Sequence, residues 1–172
     1  MMLLSFPTRR PSDLSNVPRR DTPRGGVITS AYDVLNRPTS VITAAMPYGT
    51  LVIGTVAGVP LAVMKGRAHL YEGHSAEKVV FGVRVLGRLG AEVLVVTNAC
   101  GGVREDLRPG DLVLVSDHLN LQGTSPLIGP NDDTLGPRFP DMSNAYDPAL
   151  RALSHEAAAR LGQTLSEGVY AA

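Results

Sequence analysis

Residues 75–97 read Ser75-AEKVVFGVRVLGRLGAEVLVV-Thr97, and they decide the fold class. Ala76, Val79, Val80, Val83, Leu86 and Leu89 recur at spacings of three and four, which is one face of an amphipathic helix. Ser75 is placed to cap its start and Gly90 to end it. Glu92–Thr97 follows as an unbroken apolar run, the pattern of a strand buried on both faces. A helix feeding such a strand indicates an α/β sheet with covered faces. Upstream, Leu51–Val56 and Pro60–Met64 flank Ala57-Gly58-Val59 and read as a hairpin. Downstream, the loop NACGGVREDLRPGD closes on Pro109-Gly110, a type II turn pair, before a further buried strand at Leu112–Val115. Residues 122–146 carry three glycines and four prolines without a period and read as a long loop. Asp147-Pro148 then starts a second helix with Leu150, Leu153, Ala157 and Leu161 on one face, and a strand begins at Gly168.

Composition narrows the function classes. The chain has 172 residues, 44% of them hydrophobic, with 16 basic and 16 acidic side chains. That apolar share supports a core and excludes a wholly disordered chain. No apolar run reaches the roughly 18 residues that cross a bilayer. Balanced charge speaks against a dedicated nucleic-acid binder, and one cysteine with four scattered histidines makes no zinc site. Charge is uneven along the chain, at +3 over residues 1–40 and −3 over residues 41–172. The first 26 residues hold two Arg-Arg pairs and four prolines, show no helix or strand period, and lack the apolar core of a secretory signal. FPTRRPSDL within them is similar to translated sequencing-adapter read-through. The expected organisation is a non-native or disordered segment over 1–40, followed by one domain portion over 41–172.

Three polar clusters are candidates for chemistry. In Gly66–Gly73, extended backbone would put Arg67, His69 and Tyr71 on one face, a planar donor fork beside a switchable proton, with Glu72 able to set the imidazole tautomer. From spacing alone, a solvated polar connection is the favoured reading. Thr97-Asn98-Ala99-Cys100-Gly101-Gly102 stands at the carboxyl end of a buried strand, where open α/β sheets bind ligands and glycines let amides approach an anion. It carries no dinucleotide or P-loop fingerprint, and taken by itself it reads better as a plain tight turn. Cys100 reads as a small buried packing residue rather than a nucleophile. Asp117-His118 and Asn131-Asp132-Asp133 read as solvated acids and a structural histidine, without metal-ligand spacing.

In series, GR-x-H-x-YEG, TNA-x-GG, DH-x-NL and RFP-x-MS-x-AYD resemble the trimeric, inosine- and guanosine-cleaving class of purine nucleoside phosphorylases over residues 49–172. The resemblance implies an α/β fold, one domain with a mixed, partly barrel-like sheet flanked by helices. It also implies a pentosyltransferase that splits purine ribonucleosides and deoxyribonucleosides with inorganic phosphate. Arg67 and His69 match the family's phosphate ligands, and the Ala99 N–H matches its amide contact. Tyr71 matches the ribose-contacting residue, and Glu72 the carboxylate that orients the histidine. Phe139 matches an aromatic lent to the neighbouring subunit, which implies a homotrimer. No cofactor or metal is implied, phosphate being a substrate, nor any nucleic-acid or membrane partner, and the expected location is cytoplasmic.

The departures are specific. Residues 1–48 lack the family's glycine-serine turn, and Pro47-Tyr48 stand where it places a histidine. The glutamate and asparagine that read the purine lie beyond the match to Gly168–Ala172, so base preference is not encoded here. The expectation is a C-terminally truncated, N-terminal piece of the enzyme, inactive and aggregation-prone alone. Ala99-Cys100-Gly101 with Arg104-Glu105 also matches methylthioadenosine phosphorylases, the alternative together with a non-catalytic phosphate-binding remnant.

Overall fold

The computed structural model describes the backbone of residues 2–5, 27–32 and 38–46, and both backbone and side chains of residues 49–172. Eight strands and two α-helices are described: β1 (Met2–Ser5), β2 (Val27–Tyr32), β3 (Pro38–Met46), β4 (Gly49–Val56), β5 (Val59–Lys65), α1 (Ala76–Arg88), β6 (Val93–Val96), β7 (Val113–Leu119), α2 (Pro148–Arg160) and β8 (Ser166–Ala171). They fall into two compact units, Met1–Ala99 and Cys100–Ala172.

The first unit is built on a six-stranded antiparallel sheet of order β2-β3-β4-β5-β1-β6. Its centre is the expected hairpin, β4 turning into β5 through Ala57 and Gly58, both at positive φ. The register sets Leu51 opposite Met64 and Ile53 opposite Ala62, so four apolar side chains share one face. Helix α1 lays Leu86, 1% exposed, and Val83 against them, and this is the core of the unit. The helix begins where the sequence says: Ser75 Oγ accepts the Lys78 N–H at 3.4 Å.

Two expectations for this unit change. Strand β6 lies at the sheet edge, and Leu94, Val95 and Val96 are 44–56% exposed rather than buried on both faces. An apolar run gives strand propensity, whereas burial depends on the layer that covers it. The N-terminal stretch, read as lacking a strand period, contributes β1, inserted between β5 and β6, and β2 and β3 also precede the first strand assigned from sequence. The remainder of the segment expected to be non-native or disordered lies outside the described residues.

In the second unit β7 and β8 pair in parallel, with an irregularity between Val115 and Asp117 at which Ser116 Oγ donates to the Gly168 carbonyl at 3.2 Å. Leu112 and Val113, expected to be buried, are 57% and 39% exposed. The Pro109-Gly110 turn forms as read, with Gly110 at φ 99° and the Asp111 N–H on the Arg108 carbonyl. Helix α2 starts at the proline after its cap Asp147, whose Oδ1 accepts the Leu150 N–H.

A cationic clasp holds β8. Glu167 accepts from Arg151 Nη1 at 2.7 Å and sits 3.0 Å from His155 Nε2, both on α2, while Arg104 Nη1 donates to its carbonyl at 2.7 Å. The His155 hydrogen bond, helped by the Arg151 charge, holds the Glu167 carboxyl below its ordinary range. A depressed carboxyl contributes stability that is present above the unfolded-state value and lost as pH falls through the folded-state value. Glu167→Gln should therefore lower the unfolding midpoint at neutral pH and shrink the loss of stability on acidification, both measurable by denaturant titration.

Candidate phosphate and nucleoside site

The site begins where β5 ends. Gly66, at φ 94°, turns the chain out of the sheet, and Arg67 follows half-buried. Its Nη2 donates to the Thr97 carbonyl at 3.0 Å, across thirty residues of sequence. That bond fixes the guanidinium at the carboxyl end of β6, two residues before the Ala99 amide, and uses one of the five N–H groups an arginine carries. Arg67 and Ala99 are thus brought to one strand end by a backbone anchor that local sequence does not reveal.

His69 is extended, at φ −124° and ψ 152°, and caps a single 3-10 turn over Leu70–Glu72. The expectation of extended backbone through Tyr71 is therefore corrected. Glu72 reaches back to accept the His69 N–H at 2.7 Å, which bends the chain into the turn. Tyr71 still reaches His69 by another route: the rings stack with centroids 4.8 Å apart at 23°. Tyr71 is 84% exposed, its ring open to a ligand.

The same Glu72 oxygen, Oε2, lies 3.2 Å from His69 Nδ1. The backbone N–H of His69, and next its ring, hold the Glu72 carboxyl below the usual glutamate range, so the carboxylate stays charged. With Nδ1 engaged, Nε2 is the other ring nitrogen through which His69 could act. Sequence reading passed over His74, whose Nε2 stands 4.0 Å from that carboxylate oxygen. The available signal was Gly73, which in the left-handed conformation folds the chain back toward Glu72.

The loop after Ala99 opens the second unit. Cys100, expected as a buried packing residue, is exposed, since it lies in irregular backbone beyond the strand. Around Gly101 a Cβ would meet nothing within 4 Å, so this backbone is open to solvent. His118 on β7 packs edge-on against Tyr146, with centroids 5.8 Å apart, consistent with a structural histidine. Asn131, Asp132 and Asp133 serve their own loop: Asn131 Nδ2 donates to Asp133 Oδ1 and to the Gly136 carbonyl, and Asp132 accepts from the Thr134 N–H. Among the described residues, no three His, Cys, Asp or Glu side chains gather as a metal ion would require. Phe139, in the second unit, is 87% exposed.

An arginine anchored just past a strand end, a carboxylate-oriented imidazole two residues on and an exposed aromatic ring are the kinds of group an anionic ligand beside a sugar requires. The phosphorylase superfamily profile matches residues 35–172, and the chain belongs to that family. Within it, the chain is 51% identical over 140 residues to purine nucleoside phosphorylase 1 of Geobacillus stearothermophilus, covering 81% of this chain and 50% of the relative. It is 53% identical over 124 residues to purine nucleoside phosphorylase 1 of Bacillus subtilis, covering 72% and 46%. The crystal structure of isoform 2 of purine nucleoside phosphorylase from Schistosoma mansoni, in complex with cytosine and ribose-1-phosphate, superposes with a TM-score of 0.69 at 44% identity, covering 72% of this chain and 45% of that one. The chain spans about half the length of the curated relatives it matches.

Among the described residues no helix is long and apolar enough to cross a membrane.

Proposed function

We propose that the full-length protein carrying this chain is a purine nucleoside phosphorylase that converts purine ribonucleosides and deoxyribonucleosides, with inorganic phosphate, to the free base and ribose or deoxyribose 1-phosphate. The observation that carries the proposal is the Arg67 bond to the Thr97 carbonyl, which anchors a guanidinium two residues along the chain from Ala99. A phosphate held there by Arg67, His69 and the Ala99 N–H presents an oxygen to the anomeric carbon of the sugar. The new C–O bond forms as the glycosidic C–N bond breaks, and its electron pair leaves on the purine. The sugar becomes cationic in between, and the neighbouring anion stabilises it. Glu72 keeps His69 aimed, so that Nε2 takes a proton from protonated phosphate or, as imidazolium, donates to it. In this reading Tyr71 meets the ribose, which its exposure and its stacking on His69 support.

Phe139 contributes to the sugar pocket of a second copy in this reading, and its 87% exposure leaves the ring available for that role. A homotrimer and a cytoplasmic location belong to the same proposal; a lone cysteine suits a reducing compartment. The chemistry asks for no cofactor. The test is release of hypoxanthine from inosine by the full-length protein. Release that depends on phosphate and yields ribose 1-phosphate is expected; release that is equally fast without phosphate, or none at all, overturns the proposal.

A further inference from the structure

Phe139 sits on a loop without regular structure, and a ring that must enter a pocket elsewhere is useful only if the loop holds its direction. The residue beside it provides that hold. Arg138 Nη1 donates to the Leu127 carbonyl at 2.7 Å and to the Gly129 carbonyl at 2.9 Å, closing a ring of backbone from 129 to 138. Within that ring Asn131 Nδ2 donates to the Gly136 carbonyl at 3.1 Å. Just ahead of it Ser125 anchors the chain, its Oγ accepting the Leu127 N–H and its carbonyl the Ile128 N–H, each at 3.2 Å. The Arg138 guanidinium carbon also lies 5.9 Å from the centroid of the Phe139 ring, within cation–π range. One side chain thus ties the bent loop and lies within cation–π range of the aromatic at its end.

We propose that Arg138 is the positioning residue for Phe139: its clamp on Leu127 and Gly129 fixes the direction in which the ring leaves the loop, before the ring meets the sugar. This rests on the reading of Phe139 given above and names how the chain prepares it. Arginine suits the task because a planar guanidinium satisfies two carbonyls while lying near an aromatic ring. A lysine ammonium restores the charge and a donor but not that plane.

The test is a double-mutant cycle in the full-length enzyme, with Arg138→Met, Arg138→Lys, Phe139→Ala and the Arg138→Met/Phe139→Ala pair. Arg138→Met should raise the nucleoside KM by about three- to tenfold, leave the phosphate KM unchanged, and speed amide exchange over residues 127–139. Arg138→Lys should recover part of the loss. In the Phe139→Ala background the Arg138→Met effect should vanish, because the arginine acts through the ring. If Phe139→Ala lowers nucleoside affinity while Arg138→Met does nothing, or if the Arg138→Met loss persists without the ring, the positioning role is wrong and the reading of Phe139 stands. If Phe139→Ala itself leaves the nucleoside KM unchanged, the sugar-pocket reading fails and takes this proposal with it.

Discussion

Arg67→Ala in the full-length enzyme should lower the rate of phosphorolysis by about a hundredfold to a thousandfold, the cost of removing one donor from a preorganised anion site, about 2.7–4 kcal/mol. The loss should fall on phosphate, with nucleoside binding largely kept, because the guanidinium is anchored on the Thr97 carbonyl just past the end of β6, where this reading seats the anion. Steady-state kinetics with each substrate varied in turn separates the two. Arg67→Lys should rescue poorly. A lysine can neutralise the anion, yet it cannot keep the Thr97 carbonyl and face phosphate with a fixed fork. A variant that kept near-normal phosphate KM and rate would place the anion elsewhere.

Gly49→Ala should be the most damaging small substitution in the hairpin, costing about 3 kcal/mol or more and measurable as a fall in the unfolding midpoint. Gly49 has φ 139°, a conformation side chains rarely adopt. An added Cβ would meet the Lys65 carbonyl oxygen inside contact distance, with Gly66 Cα and the Lys65 carbonyl carbon at 3.1 Å. All three neighbours are backbone, so no flexible side chain can yield. To make room, the start of β4 must part from the end of β5, and Arg67 follows two residues later. The substitution should therefore weaken phosphate binding along with stability, although Gly49 touches no ligand in this account.

What was legible in the sequence was local. Ser75 and Gly90 bracket α1, Asp147-Pro148 opens α2, and the turn at Ala57-Gly58 announces the hairpin, each within a few residues of what it specifies. What depended on distant chain was not. The EVLVVT run identifies β6 as a strand but not as an edge, because the neighbour that pairs with it, β1, comes from a stretch whose arginines and prolines hide its strand character. At the site, the alternation of Arg67 and His69 pointed to a shared face, whereas the Thr97 anchor spans thirty residues and leaves no local mark. Tyr71 joined His69 through a turn that Glu72 folds rather than through strand alternation. Phe139 entered through family resemblance alone. Nothing local in the sequence marks the two carbonyls that Arg138, its neighbour, holds.

The central claim is that phosphate is held by Arg67, His69 and the Ala99 amide. A crystal structure of the full-length protein with inorganic phosphate tests it most directly. The account predicts the anion within hydrogen-bonding distance of the Arg67 guanidinium, His69 Nε2 and the Ala99 N–H, with Glu72 still on Nδ1. An ordered catalytic phosphate that touches none of those three groups would contradict it.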